Sequence, residues 1–234
     1  MSTKQLSFRY HFSIALMLGF FTAATPAVAQ TAKKVRGPER WENTIQQFEA
    51  SDAKTPPPKG AVLLIGGSNA RRWNDVGDYF PNHKVINRGF GGGRLTDVLH
   101  FTDRIVLPYE PKIIWLNAGG NDLSSGKTPE QVRDAAQAFS AKVHTSFPDT
   151  RIFTIGLPHV QRPNSAPRVP TAILEMNRLL KELAQTEKKI EYVDIFSAFL
   201  DEQGQRRPDL FVKDGIHFSA KGYSILADQL RKKL

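Results

Sequence analysis

Apolar residues fall along this chain in two alternating textures, short unbroken runs and longer stretches of helical spacing. The first run is Ala61 to Ile65 in "AVLLIGG". "HKVINRG", "PKIIWLNAGG", "TRIFTIGLP" and "IEYVDIF" supply four more strand candidates. Helical spacing marks the segments between and around them. Trp41, Ile45 and Phe48 recur in "PERWENTIQQFEASD", and "RLTDVLHFTDRI" suggests one helix. In "TPEQVRDAAQAFSAKVHTSF", Thr128 and Gln131 form a capping-box pattern with Pro129 at the first helical position. Val132, Ala136, Phe139 and Val143 then line one face. "VPTAILEMNRLLKELAQTEKK" places Ile173, Met176, Leu180 and Leu183 inward. "SAKGYSILADQLRKKL" closes the chain, with Ser219 as cap and basic residues at the end the helix dipole favours.

Continuous apolar strands alternating with helices predict an α/β fold, a five-stranded parallel sheet covered on both faces. In such sheets the site lies at the C-terminal ends of the strands. That gathers four loops on one edge: 66–69, 89–94, 119–122 and the segment after the last strand. "AKTPPPKG" is a stiff connector ahead of the first strand.

The N-terminus changes the domain picture. Lys4 and Arg9 precede an apolar stretch from Phe12 to about Ala24, and Ala27-Val28-Ala29 precedes Gln30. This is the three-part pattern of a secretory signal peptide cleaved after Ala29. The stretch falls short of the roughly 20 residues that span a bilayer. The predicted organisation is therefore a signal peptide over 1–29, a flexible leader over 30–37 and a single domain over 38–234. The expected location is outside the cytoplasm, periplasmic or secreted, with no stable membrane anchor. The chain has no Cys, which excludes a lipid-modified cysteine and any disulfide.

The formal net charge is +9, two of which belong to the signal segment. The basic residues are scattered, with no long run and no aromatic-basic motif. The charge reads as a basic surface, and nucleic acid is not an expected partner.

Candidate chemistry starts at Ser68, where the first apolar run stops at Gly66-Gly67. A serine at that point is either a nucleophile presented at a strand end or a polar residue in a tight turn, and the local sequence permits both. A catalytic serine needs a base and an orienting acid. Of the six His, His11 leaves with the signal peptide, His100 and His144 lie in predicted helices, and His83 precedes a strand. His159 follows a strand and is a weak candidate for substrate binding. His217 stands just ahead of the last helix, with Asp214 three residues earlier. "NRGFGGGR" offers backbone N–H groups, and "AGGND" offers the Asn121 amide, both of a kind that stabilises an oxyanion. Arg94 either reaches the pocket mouth as a weak substrate contact or starts a helix at the surface. Trp73 reads as core. "GFGGGR" lacks the third Gly of a dinucleotide fingerprint, and no cluster has convincing metal-ligand spacing.

Ser68, Gly92, Asn121 and the Asp214/His217 pair, in chain order, make the sequence resemble the SGNH (GDSL-type) hydrolases. "LIGGSN", "NRGFGGGRLTDVL", "AGGND" and "KDGIH" carry the resemblance. "NRGFGG" and "IVLPYEPKIIWLNAGGND" look like the platelet-activating-factor-acetylhydrolase branch, which includes exported bacterial esterases. The resemblance implies a flavodoxin-like three-layer α/β/α sandwich. It implies ester hydrolysis through an acyl-enzyme, without metal or organic cofactor. Ser68 would be the nucleophile, His217 the base and Asp214 its orienter. The N–H groups of Ser68 and Gly92 and the side chain of Asn121 would form the oxyanion hole. The expected substrate is a small-molecule, glycan or lipid ester; oligomeric state is not legible. The family's first block usually reads Gly-Asp-Ser. Gly67 in the Asp position removes a side chain that can tie neighbouring loops, so a looser nucleophile turn is expected. The alternative is a weak or inactive carbohydrate- or wall-binding protein on the same fold.

Overall fold

The computed structural model describes residues 37–161 and 171–234, all within one compact unit spanning 35–234. The predicted signal peptide, the leader up to residue 36 and the first two residues of the helix predicted from Val169 lie outside the described residues.

Five parallel strands form one sheet in the order β2-β1-β3-β4-β5. They are β1 (Val62–Gly66), β2 (Val85–Gly89), β3 (Ile113–Asn117), β4 (Arg151–Ile155) and β5 (Ile190–Val193). Side chains alternate across a strand, so an unbroken apolar run feeds two cores at once. Leu63, Ile65, Ile114 and Leu116 enter one core; Val62, Leu64, Trp115 and Phe153 enter the other. Burying each such side chain contributes about 1.5–3 kcal/mol.

The first core is closed by α1 (Glu42–Lys54), α3 (Leu95–His100), α4 (Thr102–Ile105), α6 (Pro129–Ser146) and α7 (Thr171–Thr186). The second is closed by α2 (Ser68–Arg72) and α8 (Ala220–Arg231). A short α5 (Gly120–Ser124) follows β3. This is the three-layer α/β/α arrangement that the patterning and the resemblance both point to.

Local signals explain the longer helices. Thr128 Oγ1 accepts the Gln131 N–H at 3.3 Å, and Gln131 Oε1 accepts the Thr128 N–H at 3.1 Å. Val132, Ala136, Phe139 and Val143 are all buried. Ser219 Oγ accepts the Gly222 N–H at 3.3 Å and starts α8. Of the three residues predicted inward in the first helical segment, Ile45 of α1 is fully buried, while Trp41, just ahead of α1, and Phe48 pack against the core edge.

"RLTDVLHFTDRI" differs from expectation. It forms two short helices broken at Phe101, whose φ of −93° and ψ of 9° leave the helical region. Phe101 is 1% exposed. Phe101 is buried together with Leu95, Val98 and Ile105 in the first core.

Strand β1 has β2 on one side and β3 on the other, so the chain reverses direction of sheet growth there. Ligands of open α/β sheets bind at such a switch point. The segments leaving β1, β2 and β3 meet above it.

Candidate active site

Ser68 is the first residue of α2, immediately after β1 and Gly67. Of the two readings open to the sequence, a strand end or a tight turn, the structure has Ser68 just past a strand end, where a one-turn helix begins. Its C-terminal end is held by Asn87 of β2, whose Nδ2 donates to Ala70 O at 2.8 Å and Trp73 O at 3.1 Å. Trp73 is fully buried and stacks on Tyr223 at 5.1 Å, in the core as expected.

His217 and Asp214 sit on the loop before α8. His217 Nε2 lies 2.9 Å from Ser68 Oγ, and His217 Nδ1 lies 2.6 Å from Asp214 Oδ2. An ionised carboxylate only accepts, so Nδ1 carries the proton and Nε2 is left to accept from the serine hydroxyl. The other carboxylate oxygen, Asp214 Oδ1, accepts the backbone N–H groups of Ile216 and His217, each at 2.9 Å. Partial burial pushes the Asp214 carboxyl up. The His217 side chain and these two backbone donors together outweigh that and hold it at about 2. Asp214 therefore stays ionised at any pH where the protein would act. A base so oriented can take the hydroxyl proton as Ser68 Oγ attacks.

Gly92 follows β2 with φ of +77°, a conformation costly for a side-chain-bearing residue. Trp41 packs over it, its ring about 3.5 Å from where a Cβ would be. Asn121 lies in α5, and its Nδ2 donates to Gly93 O at 2.9 Å. An amide nitrogen has two N–H groups. The bond to Gly93 fixes the amide plane and leaves the second donor for a ligand. The Ser68 N–H, at the first position of α2, has no intrahelical acceptor by its place in the helix.

Gly67 stands at a close approach of two loops. A Cβ there would lie 2.8 Å from Asn121 Nδ2 and 3.1 Å from Gly93 O. The bare Cα is what lets the Asn121–Gly93 pair close over the turn. The turn itself is tied by the Gly67 N–H to Asn117 O and by the Arg71 N–H to Gly67 O, both at 3.0 Å. Gly67→Ala is expected to displace the Asn121 amide and lower kcat by about 10-fold with little change in KM. Steady-state kinetics on a p-nitrophenyl ester measures it.

Two buried carboxylates secure the loop between β2 and α3, and the sequence did not single them out. Asp97 Oδ2 accepts from Arg40 Nη2 at 2.6 Å, Trp41 Nε1 at 3.2 Å and the Arg94 N–H at 3.0 Å. Asp122 is fully buried and accepts the Leu95 N–H at 2.7 Å. Burial pushes the Asp122 carboxyl up, against the backbone donors of Leu95 and Thr96. Asp122 thus joins the start of α3 to the helix carrying Asn121. Both acids stand in quoted motifs, but nothing local distinguishes them from solvated residues.

The two weak substrate-binding candidates do not join this cluster by any described bond. Arg94 is half-buried at the N-cap of α3, the helix-start placement weighed above. His159, after β4, is 9% exposed, and its carbonyl accepts from Arg206 Nε at 3.0 Å. Of the remaining histidines, His144 bonds with Ser140 Oγ in α6 and with Thr150 O just ahead of β4. Among the described residues, no group of three or more His, Asp or Glu side chains is placed to hold a metal ion.

The family model of the GDSL-like Lipase/Acylhydrolase family matches residues 65–225. Solved structures share the fold. One is a protein from Streptococcus pneumonia named provisionally as a platelet activating factor, with a TM-score of 0.74 and 22% identity, covering 83% of this chain and 93% of that one. A GDSL-like lipase from Bacteroides thetaiotaomicron gives a TM-score of 0.69 at 19% identity, covering 81% and 96%. An acetylxylan esterase from Geobacillus stearothermophilus gives 0.61 at 16% identity, covering 75% and 94%. No curated protein matches the sequence.

Proposed function

The chain belongs to the GDSL-like Lipase/Acylhydrolase family and is an ester hydrolase; on that premise we propose that it is an exported serine esterase that removes small acyl groups, acetyl above all, from carbohydrate or lipid esters. The observation that carries the catalytic part is the unbroken relay from Asp214 through His217 to Ser68, at 2.6 Å and 2.9 Å.

In this reading Ser68 Oγ attacks the ester carbonyl while His217 Nε2 takes its proton. The carbonyl oxygen becomes an oxyanion facing the N–H groups of Ser68 and Gly92 and the free N–H of Asn121. Collapse expels the alcohol, which receives the proton back from His217. A water activated by the same nitrogen then releases the acid and frees Ser68. Asp214 holds the imidazole and balances its charge while it is protonated.

The small acyl group is supported by the acetylxylan esterase among the structural neighbours. Export is supported by the N-terminal pattern of charge, apolar stretch and small residues. The relay also favours catalysis over a purely carbohydrate-binding role. An acyl-chain series of p-nitrophenyl esters, run beside acetylated xylooligosaccharides, tests the substrate. Acetyl esters are expected to turn over fastest, and a preference for long chains would reverse the assignment. N-terminal sequencing of the exported protein is expected to start at Gln30; an intact Met1 in the mature protein would count against export by this route.

A further inference from the structure

The two halves of the Ser68–His217 pair lie 149 positions apart in the chain. What holds them at 2.9 Å is a separate question from what they do. The 214–219 loop is strongly tied to itself and to its own neighbourhood. The Val212 N–H donates to His217 O at 2.8 Å, the Ser219 N–H to Leu210 O at 3.0 Å, and the Gln161 N–H to Gly215 O at 3.1 Å. None of these reaches α2.

The residue after the serine does. Asn69 Oδ1 accepts the Phe218 N–H at 3.1 Å, and Asn69 Nδ2 approaches Ile216 O at 3.5 Å. One side-chain amide therefore meets both peptide groups that flank His217. The Asn69 carbonyl in turn accepts from Tyr223 Oη in α8 at 2.9 Å. Tyr223 stacks on buried Trp73, so the bracket is anchored in the second core. Among the described residues, the hydrogen bonds from α2 to the 214–219 loop are these Asn69 contacts and the Ser68–His217 bond itself.

We infer that Asn69 is a positioning residue: its side-chain amide brackets His217 through Ile216 and Phe218 and sets the reach of the imidazole to Ser68. The inference rests on the reading of Ser68 and His217 as nucleophile and base. Its physical content is that one amide supplies an acceptor and a donor at the spacing of two successive peptide groups, so it fixes both translation and tilt of the loop. A hydrophobic residue there would fill space without fixing either. Displacing a reacting group by about 1 Å costs on the order of 100-fold in rate.

Asn69→Ala is expected to lower kcat for p-nitrophenyl acetate by about 10- to 100-fold while KM stays within about twofold. The rate of inactivation by a small fluorophosphonate, which needs the serine and histidine but little of the substrate pocket, is expected to fall by the same factor. Asn69→Asp keeps the acceptor for Phe218 but turns an acceptor toward Ile216 O, so it too is expected to lower kcat while KM stays within about twofold. Tyr223→Phe removes only the hydroxyl behind Asn69 and is expected to cost about 2- to 5-fold in kcat. Thermal melting of each variant shows whether the fold persists. If Asn69→Ala does not fold, the other two variants decide, and unchanged kcat in both overturns the inference. A loss that appears in KM rather than kcat, or turnover lost while inactivation is unaffected, overturns it as well. Ser68→Ala, assayed alongside, separates this outcome from failure of the underlying reading: an active Ser68→Ala removes the nucleophile itself, whatever Asn69 does.

Discussion

Ser68→Ala is expected to lower kcat on p-nitrophenyl acetate by about 10⁴- to 10⁶-fold, or roughly 5–8 kcal/mol of lost transition-state stabilisation. The effect is large because no other described oxygen stands where His217 Nε2 can deprotonate it. The substitution removes one oxygen from a half-buried position, so the melting temperature is expected to move by only a few degrees. KM is expected to change little, since the hydroxyl contributes mainly in the transition state. His217→Ala should cost a similar factor, and the double variant little more than either single one. A nucleophile without its base and a base without its nucleophile fail at the same step. Initial rates of the three variants, with fluorophosphonate labelling as an independent readout, provide the measurement. Wild-type turnover in Ser68→Ala would place the chemistry elsewhere.

Asn121→Ala carries the second largest expectation, a fall in kcat of about 100- to 1,000-fold, equivalent to about 2.7–4 kcal/mol. The argument is geometric. Gly93 O occupies one N–H of the amide at 2.9 Å, so the side chain does not have to be reoriented during the reaction. A donor already held in place repays its cost only when charge develops on the substrate oxygen. KM is therefore expected to stay within about threefold, because the ground-state carbonyl gains little from the donor. Asn121→Asp, which replaces the donor with an acceptor, should be at least as damaging. The two variants differ from Ser68→Ala in a checkable way: both should still label with a fluorophosphonate, but slowly. Equal kcat in wild type and Asn121→Ala would remove this amide from the oxyanion hole.

The fold was largely legible because its determinants are local and repeated. Ile113 to Leu116 reads as a strand buried on both faces, and the structure sends its residues into two cores. Thr128, Pro129 and Gln131 mark a helix start by chemistry contained in four residues. The break at Phe101 was not legible, since Leu95, Val98, Phe101 and Ile105 keep a helical period straight through it. The short helix at Ser68 escaped for a related reason. Five residues are too few to show a period, and this helix is held by Asn87, which is distant in sequence.

The sequence by itself determined the residue types, their order and the loops that carry them: Ser68, Asn121, Asp214 and His217 stand on loops that the alternation of strand and helix gathers on one edge, and resemblance to the family picks Gly92 from its glycine run. The tertiary structure decided which of them meet and what holds them there. The 2.9 Å approach of His217 to Ser68 comes with an amide at Asn69 that spans the same gap, and Gly67 makes room for Asn121. Asp97 and Asp122 fasten the loop between them. The physical reason is one of range. Periodicity, capping and turn chemistry act over a few residues and leave a pattern in the chain. A hydrogen bond across 149 positions, or a contact that exists only because a side chain is missing, leaves no such pattern until packing brings the partners together.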